Sequence, residues 1–193
     1  VRAGREVLNE RGYSGMTFQA IAKRTDLSRP TLHYYFATRE DLFEAIADEA
    51  RSVVSFCVGE ALQSASLLGR LSGFIDAVRQ ADSRDSSMIP FLISARLEWH
   101  RNPELQAFGD SPIREFLRRL VTDAIRAGEL TEDTEIEAVT DLLQVILYGM
   151  AFHSAFTDTH SDLGPITQQL VALFAKGLVP ASRHGRAVTA PQC

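Results

Sequence analysis

Residues Thr17–Arg39 read TFQAIAKRTDLSRPTLHYYFATR, and this stretch decides the fold of what surrounds it. In its first part Phe18, Ile21 and Ala22 fall at i, i+3 and i+4, the spacing of one helical stripe. Thr25-Asp26-Leu27 breaks that helix. Ser28 is placed to cap a second one, its hydroxyl accepting from a backbone N–H that has no helical partner. Pro30 suits a first turn because it lacks an N–H. Leu32 and Phe36 repeat the buried spacing there and leave Arg29, Thr31, His33, Tyr34 and Tyr35 pointing elsewhere. Two short helices joined by a tight turn, the second with a polar and aromatic open face, form a helix-turn-helix.

Charge agrees with this. Between Arg11 and Arg39 five basic residues (Arg11, Lys23, Arg24, Arg29, Arg39) stand against Asp26 alone, a local charge of +4. The whole chain of 193 residues carries −5. A basic surface on an acidic protein suits phosphate contact, because each neutralised phosphate releases condensed counterions. On the second helix Arg29 can donate two bonds to a guanine edge, and Pro30 and Thr31 offer apolar groups to thymine methyls. Readers of this kind work as two-fold dimers on palindromes. Double-stranded DNA with a palindromic operator and a second copy of the chain are therefore the expected partners.

The same residues carry a family resemblance. GYSGMTFQAIA at 12–22, LSRPTLHYYF at 27–36 and TREDL at 38–42 resemble the DNA-binding segment of TetR-family regulators. The resemblance implies phosphate contacts for Thr17, Tyr34, Tyr35 and Arg39, contact of either kind for His33, and a place for Ser28 in the same interface. It also implies a helical body that binds a small-molecule effector. Binding would change the separation of two heads, so that a repressor leaves its operator.

Hydrophobic residues make up 45% and charged residues 23% of the chain, ordinary for a globular protein. No alternating β-branched run or Asn-Gly turn occurs. The expected fold is all-α with about nine helices. A three-helix helix-turn-helix head occupies 1–45, a helical bundle for ligand binding and dimerisation 46–179, and a disordered tail 180–193. The first helix turns Ala3, Val7 and Leu8 inward and closes at Gly12 in a left-handed conformation. Thr38 and Asp41 form a capping box that opens a long fourth helix. Later helices are expected over 67–80, 88–100, 111–128, 135–156 and 165–178, with Arg114, Arg118 and Arg119 on a solvated face. Leu142–Phe156 is the longest apolar stretch, interrupted by Gln144, His153 and Ser154 and too short to span a bilayer. With no signal-peptide pattern either, the expected place is the cytoplasm, with no membrane partner.

The segment VILYGMAFHSAF at 145–156 is apolar almost all round, and such a helix has to be covered on both sides. The last helix covers part of it. The excess is assigned to a dimer interface around Leu147, Ala151, Phe152, Leu170 and Phe174. For the effector, Phe74, Phe91, Trp99, Phe116 and Phe156 supply aromatic walls, with His100, Tyr148 and His153 as the nearest polar groups. Walls of that kind favour a mostly apolar molecule over a nucleotide or sugar phosphate. Arg96, the nearest arginine, is expected on the outer face.

His100, His153 and His160 lack Glu-x-x-His or His-x-x-x-His spacing, and Cys57 and Cys193 form no ligand set, so no metal and no cofactor is expected. Walker loop, Gly-rich dinucleotide loop and nucleophile elbow are all missing, which argues against an enzyme. The alternative is a helical small-molecule-binding or scaffold protein with weak or lost DNA binding. Arg29 and two tyrosines on one short helix speak against it.

Overall fold

Gly12 makes the first corner of the chain. Its φ of 67° and ψ of 178° break the helical geometry inside α1 (Arg2–Gly15) and start the turn toward α2 (Phe18–Ala22). The computed structural model describes residues 1–103, 105, 112–156 and 163–177. Among these it holds nine helices and no strand, as the sequence leads one to expect. After α3 (Arg29–Tyr35) comes α4 (Arg39–Ala61), opened by the Thr38–Asp41 capping box. Then follow α5 (Leu67–Arg84), α6 (Met88–Arg101), α7 (Pro112–Arg126), α8 (Ile136–Phe156) and α9 (Leu163–Gly177). Ser111, His160, Cys193 and the expected tail lie outside the described residues.

Two hydrophobic clusters hold these helices together. The first joins Val7, Leu8, Met16, Ile21 and Leu32 of the head to Phe43 and Ile46 of α4. Met88, Phe91 and Ala95 of α6 complete it. The second is formed by α5, α7, α8 and the far end of α4, around Cys57, Leu71, Phe74, Phe116, Leu117 and Leu143. The cores therefore do not part at residues 45 and 46. Helix α4 runs through both clusters, and α6 belongs partly to the head.

A buried charge sits at this junction. Arg5 is 0% exposed. Its guanidinium donates to Glu49 of α4 at 2.7 Å, to Ser87 at the start of α6 at 2.8 Å, and to Asp85 in the turn before it. Asn9 adds a bond to the Ser87 carbonyl at 2.9 Å. Burial alone would raise the Asp85 carboxyl, but two donors from Ser87 and the Arg5 and Arg2 charges outweigh it and hold it below its usual value.

Two expectations need correction. Arg114 is not simply a solvated residue, because it bonds Glu137 at 2.6 Å and also Asp141, tying α7 to α8. Leu142 faces outward beside them and is half exposed. Helix α8 as a whole has 21 residues and is apolar enough, by length and composition, to cross a membrane, contrary to the reading of 142–156 alone. Here Thr140, Leu143 and Met150 are buried, with α8 packed on α6 and α7.

Gly12 and Gly128 offer a paired test of backbone strain. Both have positive φ, but a Cβ on Gly12 would also meet the Glu98 carboxylate at 3.1 Å, whereas one on Gly128 meets nothing within 4 Å. Gly128→Ala should cost about 1 kcal/mol and Gly12→Ala more, about 2–3 kcal/mol. Urea denaturation of the two variants measures the difference, and equal losses would show that Glu98 swings away freely.

Candidate functional site

Helix α3 is short, so its neighbours must hold it. Ser28 Oγ accepts from the Thr31 amide at 3.2 Å and shares a bond with the Thr31 hydroxyl at 2.8 Å. Leu32 anchors the helix in the head cluster. His33 lies against the Phe18 ring of α2, centroids 4.3 Å apart, which fixes the angle between the two helices. What remains outward is Arg29, Pro30, His33, Tyr34 and Tyr35. The two tyrosines are 84% and 67% exposed and stand edge to face at 5.3 Å. Large aromatic side chains so bare on a small head want a partner surface.

The flanking positions are partly committed. Thr17 caps α2 by accepting from the Ala20 amide at 3.1 Å, which leaves its exposed hydroxyl able to donate. Arg39 lies over the Tyr13 ring at 4.2 Å and 3.6 Å from Glu40. Tyr13 in turn donates to Glu40 at 2.8 Å, and burial together with that bond pushes its phenol up. Arg24 is different from the others. It is held by Glu10 at 2.6 Å and Glu6 at 3.6 Å, so the local charge of +4 overstates what phosphates would meet. The sequence carries the signal for this pairing only once Glu6 and Glu10, one turn apart on α1, are known to face α2.

Residues 1–46 match the description "Bacterial regulatory proteins, tetR family". That match covers the head of the chain, from α1 into the first turns of α4. It is 24% identical over 155 residues to the HTH-type transcriptional regulator UidR of Escherichia coli strain K12, covering 78% of this chain and 76% of that protein. In fold it is similar to GusR of Salmonella enterica, with a TM-score of 0.69 at 23% identity and 92% of each chain covered. It is also similar to the regulator FadR of Bacillus subtilis, solved in complex with stearoyl-CoA, with a TM-score of 0.71 at 17% identity over 91% of this chain and 95% of that one.

The body of the chain holds an apolar chamber of about 70 Å³, open on one side. Phe74, Ile75 and Val78 of α5, Ile89, Leu92 and Ile93 of α6, and Leu147, Tyr148 and Ala151 of α8 are among its walls. Of the expected ligand residues, Phe74 and Tyr148 line it, and Phe116 stacks behind Phe74 at 5.1 Å. The others are elsewhere. Phe91 is buried in the head cluster, Trp99 packs against that cluster, His100 and Phe156 are exposed, and His153 is half-buried outside the lining. Helical rotation explains this. Met88, Phe91, Ala95 and Trp99 follow one stripe of α6 toward the head, while Ile89, Leu92, Ile93 and Arg96 follow another toward the chamber.

The expected interface residues divide as well. Leu147, Leu170 and Phe174 pack against the body cluster, and Leu147 and Ala151 face the chamber, leaving Phe152 outward. The exposed stripe is instead Leu142, Val145, Phe152 and Phe156 on α8, with Ile166 and Leu173 on α9.

Salt dependence separates committed from uncommitted cations. Lys23 is exposed and has no carboxylate partner among the described residues. Lys23→Ala should lower the slope of log K against log salt by about 1, and Arg24→Ala should leave it unchanged. Gel-shift titrations over a salt series measure both slopes, and a loss for Arg24→Ala equal to that for Lys23→Ala would mean that its pairs with Glu6 and Glu10 open on DNA.

Proposed function

We propose that the chain is a homodimeric, cytoplasmic repressor that reads operator DNA with α3 and leaves it when a mostly apolar molecule enters the chamber of the body. The observation that carries this reading is the open face of α3, where Arg29, Pro30, Tyr34 and Tyr35 are exposed on a helix held from behind by Leu32 and by His33 against Phe18. In the major groove Arg29 would donate to a guanine edge and Pro30 and Thr31 would meet thymine methyls. Thr17, Ser28, Tyr34, Tyr35 and Arg39 would contact phosphates and set register, with His33 at the boundary.

A second copy of the chain is the natural cover for α8. Leu142, Val145, Phe152 and Phe156 repeat at the three- and four-residue steps of a helix–helix seam, and α9 adds Ile166 and Leu173. Val145 and Leu173 are each 68% exposed in the single chain. Pairing α8 and α9 with their copies gives a four-helix interface and fixes the distance between two heads.

The chamber supplies the switch. Its 70 Å³ lie well below the roughly 300–1,000 Å³ of most small-molecule sites. A ligand therefore has to move the walls, and α6 is both a wall and a part of the head core. Release needs only that the widened form binds the ligand better and the operator worse. The acyl compound held by the Bacillus subtilis regulator of similar fold supports an apolar ligand in a body of this kind.

Arg29→Ala should remove about 1–3 kcal/mol of discrimination at one base position of each half-site, while Tyr34→Phe weakens binding to all sequences together. Selection of bound fragments from a random pool, sequenced for each variant, tests the two roles. An equal loss of specific and random binding for Arg29→Ala would make Arg29 a phosphate contact.

Val145→Glu should give monomers that no longer bind the operator, since an unpaired charge buried in the seam costs several kcal/mol. Light scattering of the purified variant decides. A stable dimer would put the interface on another face.

A further inference from the structure

The apolar chamber has a charged mouth. A smaller cavity of about 30 Å³ adjoins it and shares Val54, Leu92, Ile113 and Tyr148 with it. Arg51 of α4 and Arg96 of α6 also line this outer space, and no carboxylate is among the described lining residues of either cavity. Arg96 continues the chamber stripe of its helix, one turn beyond Leu92 and Ile93. Its guanidinium rests over the Trp99 ring at 5.0 Å, and it makes no ion pair with a carboxylate among the described residues. Arg51 is held by Asp48, one turn back on α4 and outside the lining.

We infer that the effector is an amphipathic anion. Its apolar part occupies the chamber, and its anionic head group lies in the mouth between the Arg51 and Arg96 guanidiniums, with the Tyr148 hydroxyl as a further donor. The inference rests on the ligand-chamber reading above and adds the chemistry of the head group. A neutral apolar ligand filling the chamber would give the Arg96 guanidinium at its mouth no new partner. A carboxylate or phosphate offers each guanidinium a planar, charge-assisted contact, stronger than a neutral bond and stronger still where water is excluded. The walls inside are hydrocarbon (Phe74, Val78, Ile93 and Met150 among them), so charge is accepted only at the mouth. A head group held there also bridges α4 to α6, the two helices shared with the head core. Arg96 is exposed, as the sequence leads one to expect, and so stands at the edge of the mouth rather than inside the chamber.

The test uses the full chain with ligands built on one ten-carbon chain: decanoate, decyl phosphate, decanol and methyl decanoate. Binding is read by melting temperature and by the fluorescence of Trp99, whose ring Arg96 covers. The wild-type protein should bind decanoate or decyl phosphate roughly tenfold or more tightly than the two neutral compounds. Whichever anion is favoured identifies the head group. Arg96→Gln and Arg51→Gln should each reduce that preference and leave the affinity for decanol in place. Equal affinity of the wild-type protein for charged and neutral compounds would overturn the inference while leaving the chamber as a ligand site. A preference that survives in both variants would overturn it too. Failure of all four compounds to bind would remove the chamber reading itself, and the anionic head group with it.

Discussion

A guanidinium without water is the constraint on which the placing of head and body depends. The side chain of Arg5 cannot stay buried unless every strong donor direction finds an acceptor, and the acceptors come from two distant parts of the chain. Glu49 fixes α1 against α4, and Asp85 and Ser87 fix it against the entry to α6. Removing one partner of a buried pair leaves the other uncompensated, so the contact works less as added stability than as a specification of geometry. Whatever motion separates two heads must carry α1, the start of α6 and this part of α4 together, or expose the cluster to water.

Next to that joint, α6 is packed on two sides. One stripe belongs to the head cluster and another to the chamber walls. A helix packed on two sides behaves as a rigid transmitter, because close-packed interiors shift by discrete repacking rather than by continuous deformation. Glu98, buried at the end of the head-facing stripe and bonded to Asn102 at 3.2 Å, lies beside the Gly12 corner and so marks where α6 meets the head.

How legible these features are follows from the range of the interactions behind them. The helix-turn-helix is readable because Ser28, Pro30, Thr38 and Asp41 act within four residues of themselves, and their caps occur in the structure as the spacing implies. The long α4 and the end of α6 before Pro103 are readable for the same reason. Arg5 gives no local sign of its burial, since its partners lie 44 to 82 residues away. Rotation of apolar helices is the other blind spot. In α6 nearly every position from Met88 to Leu97 is hydrophobic, so periodicity cannot assign Phe91 to the head and Ile93 to the chamber. The same ambiguity in α8 interchanges Leu147, which is packed, with Val145, which is bare.

The contracted state of the chamber has a consequence for sensitivity. Under the proposed switch, a ligand admitted there would meet a protein whose receptive form is a minority, and its apparent affinity would be reduced by that fraction. The threshold concentration for response is then set by how well Ile75, Ile89 and Ile93 pack in the empty protein as much as by any contact they make with the ligand. Trimming a methyl group from one of those walls would favour the widened form and lower the threshold without altering recognition. Dose–response in such a chain can drift through ordinary core substitutions while the chemistry it detects stays the same.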